Sequence, residues 1–248
     1  MKAASAVADR RLRAKIVAAM RAMDARGLNR GSAGNASART AAGMLITPTG
    51  IPADRLRRAD IVAMAEDGTW SGRRAPSSEW HFHAAILAAR PEIGAVVHAH
   101  PPFATTLATL RRPIPAFHYM IAIAGGDTIR CARYATFGTR ALARNAVAAL
   151  AGRKACLLAN HGLIALGRDL DEAETIAIEV EALAEQYWRA LQIGRPTILS
   201  AAEMRRVVAA FATYGQPGGV EPRNERGRAR GPAPDRRRRD AISRRSRP

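Results

Sequence analysis

The chain has 248 residues, a formal net charge of +18 from 39 Lys+Arg against 21 Asp+Glu, and 48% hydrophobic but only 5% aromatic residues. That length buries a core without staples, so a metal-binding pattern here points to chemistry rather than to folding. Two cysteines far apart, Cys131 and Cys156, exclude a disulfide scaffold, and charges break every apolar run short of a membrane span or a secretory leader, so a soluble cytoplasmic protein is expected.

Leu12, Ile16, Met20 and Met23 recur at helical spacing and predict an opening helix that stops at Gly27. The glycine-rich stretch 27–34 (GLNRGSAG) reads as a loop leading to Asn35 and Ser37. Residues 44–47 read as a short strand ending at the Pro48-Thr49-Gly50 turn. Residues 61–65 and 69–70 read as a hairpin in which Asp67-Gly68 makes a tight primed turn with positive φ angles. Ser77, Ser78 and Glu79 precede a helix marked by Phe82, Ala85, Ile86 and Ala89. Ala95-Val96-Val97 opens a strand carrying His98 and His100. Residues 139–151 predict a helix, and 155–159 a buried strand ending at Asn160-His161-Gly162. A long amphipathic helix is expected over about 171–191, with Asp171 and Glu172 in its first turn suited to the positive end of the helix dipole. The fold class is α/β, with helices on both sides of a sheet.

The last 33 residues, 216–248, carry 11 arginines against four acidic residues and almost no large apolar side chain. Such a segment cannot bury enough surface to offset its ordering entropy, and it reads as a disordered Arg-rich tail following a domain over 1–215. No aromatic residue interleaves its arginines, so it has no stacking platform for bases. Nucleic acid is not an expected partner beyond non-specific contact through this tail.

The chemistry-bearing signal is His98-Ala99-His100 in an apolar strand. Side chains alternate faces along a strand, so both imidazoles project to one side and can meet one ion. His161, followed by a glycine that lets the backbone turn beside a crowded site, is a third candidate. Three imidazoles and an open position suit catalytic zinc, whereas two histidines can equally be ordinary core or surface residues. His81, His83 and His118 read as hydrogen-bonded structural residues. Glu79 reads either as a helix-start carboxylate or as a general base beside a cation. The small polar residues of 31–35, Thr49-Gly50 and Ser77-Ser78 offer amides and hydroxyls to an anion.

The stretches GLNRGSAGNASAR (27–39), MLITPTGIP (44–52), PSSEWHFH (76–83), AVVHAHP (95–101), IPAFHYMIAIAGG (114–126), YATFGTR (134–140) and NHGLIA (160–165) occur in one order. Together they resemble the class II aldolase/adducin family over nearly all of residues 10–215. The resemblance implies a three-layer α/β/α fold around a mostly antiparallel sheet. It implies Zn²⁺ held by His98, His100, His161 and, at rest, Glu79. It implies a substrate-phosphate pocket of Ser32, Gly34, Asn35, Thr49, Gly50, Ser77 and Ser78. Ser32 stands where the family has threonine, and Asn160 where a histidine often precedes the ligand. The family further implies a homotetramer, with Tyr119 as proton donor from an adjacent subunit and Tyr214 closing over the substrate.

The activity implied is reversible cleavage of a deoxy-ketose 1-phosphate, such as L-fuculose 1-phosphate, into dihydroxyacetone phosphate and an aldehyde such as L-lactaldehyde. In the condensation direction Glu79 removes the carbon-bound proton and Tyr119 protonates the aldehyde oxygen. The chain has only three lysines, none in these motifs, which favours a metal route over a Schiff base. Pentulose-phosphate 4-epimerases, methylthioribulose-phosphate dehydratases and adducin-like binding proteins without metal stay open as alternatives.

Overall fold

A computed structural model describes residues 2–211; the Arg-rich segment and Tyr214 lie outside the described residues. In chain order the elements are α1 (Lys2–Ala25), β1 (Asn35–Thr40), β2 (Gly43–Ile46), β3 (Val62–Ala65), β4 (Trp70–Ser71), α2 (Trp80–Ala89), β5 (Ala95–Ala99) and α3 (Pro102–Thr109). They continue with β6 (Arg130–Ala132), α4 (Arg140–Ala149), β7 (Ala155–Leu158), β8 (Gly162–Gly167), α5 (Leu170–Ile193) and α6 (Ala201–Phe211). Short 3₁₀ turns cover Arg58–Asp60 and Tyr119–Ala124.

The eight strands form one sheet in the order β4-β3-β2-β1-β5-β8-β7-β6, antiparallel except for the β6–β7 pair. Strands buried on both faces need helices on both, and the chain supplies them. Val96, Ile164, Leu166, Met44 and Ile46 pack with Phe82, Ile86, Leu142 and Ala146 of α2 and α4. Ala95, Val97, Ala99, Leu163 and Ala165 face the other way, against α1, α3 and α5, whose stripe Ala173, Ile176, Ala177, Val180, Leu183 and Ala184 is buried as its spacing predicts. The result is the α/β/α sandwich with a mostly antiparallel sheet.

Several helix ends show why they fall where they do. Gly27, at φ 74°, lets its own N–H reach Asp24 O and the Leu28 N–H reach Met23 O, which closes α1 in a Schellman motif. Arg39 donates to the Leu87, Arg90 and Ile93 carbonyls and so covers the C-terminal end of α2. Glu181 of α5 accepts the Phe103 and Ala104 N–H groups at the start of α3, each at 2.8 Å. The 65–70 hairpin differs from expectation. Only Gly68 has positive φ (87°), and Gly68 N–H donates to Ala65 O while Ala65 N–H donates to Thr69 O. This is a type I turn followed by a left-handed glycine, not a primed turn.

Asp169 caps α5 by accepting the Glu172 N–H, and Glu172 itself accepts from the Arg168 N–H, the Arg168 guanidinium and Lys154 Nζ. Burial acts to raise the Glu172 pKa, but these donors outweigh it and lower it to about 2 from the ordinary 4.5. A depressed carboxyl pKa contributes stability that is complete above the unfolded value and lost as pH falls through the folded one. Glu172→Gln is therefore expected to cost about 1 kcal/mol at neutral pH, for a partly screened cluster. Denaturant titrations should show that deficit shrinking between pH 4.5 and 2; a deficit constant over that range counts against the assignment.

Candidate metal centre and adjoining cavity

The register of the sheet sets the site. Asn35, first in β1, pairs with His98 near the end of β5, and His98 pairs on its other side with Ile164 of β8. His100 lies two residues beyond His98, on the same face, and its ring centroid is 4.7 Å away. His161 occupies the turn from β7 to β8, its ring 4.8 Å from His98 and 4.9 Å from His100. Glu79 is the N-cap residue of α2, yet its carboxylate makes no capping bond. It turns instead to the imidazoles, with Oε2 3.2 Å from His98 Nε2 and Oε1 3.2 Å from His161 Nε2. Glu79 thus stands at the helix start, as one sequence reading has it, with its carboxylate turned to the rings.

The donor chemistry fits a dication. His98 Nδ1 donates to Leu163 O at 2.9 Å, which orients the ring with Nε2 aimed at the cluster. Burial, ahead of the neighbouring rings, lowers His100 to about 3 and His161 to about 4, so both are neutral at physiological pH. Burial also acts to raise Glu79, but the His98 and His161 rings and the Asn35 amide outweigh it and hold the carboxyl well below its usual range. Glu79 Oε1 is buried and has no hydrogen-bond partner. Ring nitrogens and carboxylate oxygens thus crowd together: His98 Nε2 and His100 Nε2 are 2.8 Å apart, and a Glu79 oxygen stands 3.2 Å from each of His98 Nε2 and His161 Nε2. One cation among them resolves every one of those contacts. The ligating atoms of Glu79, His98, His100 and His161 lie within 4.8 Å of one another, a group able to hold a metal ion.

A cavity of about 330 Å³ opens over this cluster. Every residue expected to meet an anion lines it: Ser32, Gly34, Asn35, Thr49, Gly50, Ser77 and Ser78. The Pro48–Pro76 bridge and the Ser77 N–H bond to Thr47 O tie two of those loops together. Tyr134, Ala135 and Phe137, which no sequence reading singled out, also line it, together with Asn160. Tyr119 is half exposed at the start of its 3₁₀ turn and is not among the residues lining the cavity of its own chain. His118 caps that turn through Nδ1, as a structural histidine.

Residues 14–188 match the family described as Class II Aldolase and Adducin N-terminal domain. The chain belongs to this family. It is 59% identical over 204 residues to the 5-methylthioribulose-1-phosphate/5-deoxyribulose-1-phosphate aldolase of Rhodospirillum rubrum, covering 82% of this chain and 92% of that protein. It is 50% identical over 190 residues to the L-fuculose phosphate aldolase of Escherichia coli K12, covering 76% and 88%. A solved L-fuculose 1-phosphate aldolase superposes with a TM-score of 0.79 at 41% identity, over 81% of this chain and 96% of that one.

Within this class II aldolase fold one supporting residue escaped the sequence reading. Asn29 is buried beneath Gly34, where a Cβ would collide with its amide, and its Oδ1 accepts the His100 N–H. The left-handed turn residue before the third imidazole is Asn160 (φ 53°), not Gly162. Gly162 is needed for a different reason, since a Cβ there would lie 2.5 Å from Ala99 O and 2.8 Å from His100 Cδ2. Gly162→Ala should displace His100 and weaken dication binding about 10-fold or more, read by competition with a chromogenic chelator. Unchanged affinity would show that the three rings tolerate the displacement.

Proposed function

We propose that the protein is a zinc-dependent aldolase that cleaves a 5-deoxy-pentulose 1-phosphate, 5-methylthioribulose 1-phosphate or 5-deoxyribulose 1-phosphate, to dihydroxyacetone phosphate and an apolar-tailed aldehyde. The observation that carries this reading is the 59% relative's printed activity, joined to a cavity whose wall pairs a small-residue polar surface with Tyr134, Ala135 and Phe137. L-Fuculose 1-phosphate is the second reading, supported by the 50% relatives. Its aldehyde carries one more hydroxyl than those of the deoxy substrates, so the two readings differ by a single polar group beside the wall of Tyr134, Ala135 and Phe137.

On this reading His98, His100, His161 and Glu79 hold the Zn²⁺. When bound, the ion supplies Lewis-acid stabilisation to the negative charge that develops as the C3–C4 bond parts. The amides and hydroxyls of 32–35, 49–50 and 77–78 orient the phosphate. Glu79 delivers a proton to C3 in cleavage and removes it in condensation. Tyr119 of an adjacent subunit takes the C4 hydroxyl proton in cleavage and returns it in condensation. Because Tyr119 is exposed on its own chain, the reading includes a homo-oligomer, a tetramer by family likeness.

Zinc-loaded protein offered both substrate types should show kcat/KM for the 5-deoxy-pentulose 1-phosphates at least about 10-fold above that for L-fuculose 1-phosphate; the reverse order installs the second reading. Chelation should abolish release of dihydroxyacetone phosphate from either substrate, and persistence of cleavage would remove the metal route. Glu79→Gln should lower kcat by about 10²-fold or more, in line with loss of a general acid–base group. The same change with normal turnover would take Glu79 out of proton transfer.

A further inference from the structure

His83 lies one turn after Glu79 on α2, fully buried, and takes no part in the cluster of four. Burial, ahead of the neighbouring His98, lowers its pKa to about 3, so the ring is neutral and has one hydrogen to place. Both of its nitrogens are engaged. Nε2 is 2.5 Å from Asn35 Oδ1, and Nδ1 is 2.8 Å from Ser37 Oγ. Asn35 in turn presents Nδ2 to Glu79 Oε2 at 2.9 Å.

Donor and acceptor roles along this line follow from its end. An ionised carboxylate only accepts, so the Asn35 group facing Glu79 is the NH₂ and the group facing His83 is the carbonyl. That carbonyl needs a donor, which places the single imidazole hydrogen on Nε2. Nδ1 is then bare, and Ser37 donates its hydroxyl to it. Asn35 and Ser37 are two residues apart on β1 and so share the face that α2 covers. Each group in the line fixes the next.

We propose that His83 is a positioning residue: with its tautomer set by Ser37, it locks the Asn35 amide so that an N–H always faces Glu79, holding that carboxylate at the metal cluster and steadying it as the proton carrier. The inference rests on the reading of Glu79 as ligand and base. Without the Nε2 donor the Asn35 amide is free to rotate, and its carbonyl, turned toward Glu79, repels the carboxylate.

Two near-isosteric replacements separate positioning from packing. In the rotamer of His83, glutamine places its amide near Nε2 and can still donate to Asn35, whereas asparagine reaches only the Nδ1 position and Ser37. Both put an uncharged amide in the same buried space. His83→Asn should lower kcat for the 5-deoxy-pentulose 1-phosphate about 10- to 100-fold, the range for lost support of a metal ligand, with KM little changed. It should also shift the visible absorption of the substrate-free Co²⁺-substituted protein and weaken Co²⁺ binding. His83→Gln should restore most of both, and Ser37→Ala should move the spectrum the same way as His83→Asn by a smaller amount. If the Asn and Gln variants lose thermal stability alike and both keep the wild-type Co²⁺ spectrum and kcat, His83 is a packing residue and the inference fails while the aldolase reading stands. If wild-type protein binds no Co²⁺ and cleaves neither substrate, both fail together.

Discussion

The convergence of three buried or half-buried imidazoles and a carboxylate on one small volume is the constraint on which the site depends. Four side chains able to ligate, His98, His100, His161 and Glu79, converge within 4.8 Å, and burial keeps the His100 and His161 rings neutral. Left alone, such a group costs the fold desolvation with little return. The surroundings are built to hold it open. Leu163 O fixes the His98 tautomer, Asn29 secures the His100 backbone, and Gly162 leaves room for both rings. None of these three contributes a ligand, and each would be replaceable if the cluster were ordinary core.

The sheet turns that local requirement into a global one. Asn35 and His98 are cross-strand partners, so the amide that steadies Glu79 and the first imidazole share a register that a one-residue slip of β1 would destroy. The Ala36 and Ala38 faces of the same strand are buried against the opposite helical layer. Core packing therefore enforces the register, and the register places the site. Stability and chemistry depend on the same pairing, one on each face of β1.

That double duty also explains what sequence could and could not reveal. The helices α1, α2, α4 and α5 announce themselves by apolar spacing, and the HxH strand by chemistry. β1 does not, because its inward residues include Asn35 and Ser37, and a strand whose buried face is half polar lacks the alternation that marks one. β8 was passed over as well: it is buried along its whole length, and an uninterrupted apolar run carries no period. His83 was correctly expected to be a hydrogen-bonded histidine. Its partners lie more than forty residues away across a sheet, and spacing holds no trace of them. Resemblance to the family supplied the ligand set and the anion loops together, because those reside in short contiguous motifs. The aromatic wall at Tyr134 and Phe137 lay inside a quoted motif, but its place in the cavity emerges only from the fold.

The composition of the cavity wall carries a last consequence. The chain has 39 Lys+Arg, yet among the described residues neither type lines the cavity over the cluster. A guanidinium within reach of Glu79 would pair with it in bidentate fashion and hold the carboxylate permanently, which would silence it as a ligand and as a proton carrier. It would also repel a cation from the imidazoles beside it. A phosphate met by neutral amides and hydroxyls is bound less strongly per contact than by arginine, but those donors do not compete for Glu79. On the proposed aldolase reading, a wall free of cations among the described residues reserves the local positive charge for a metal ion and lets one carboxylate alternate between two roles.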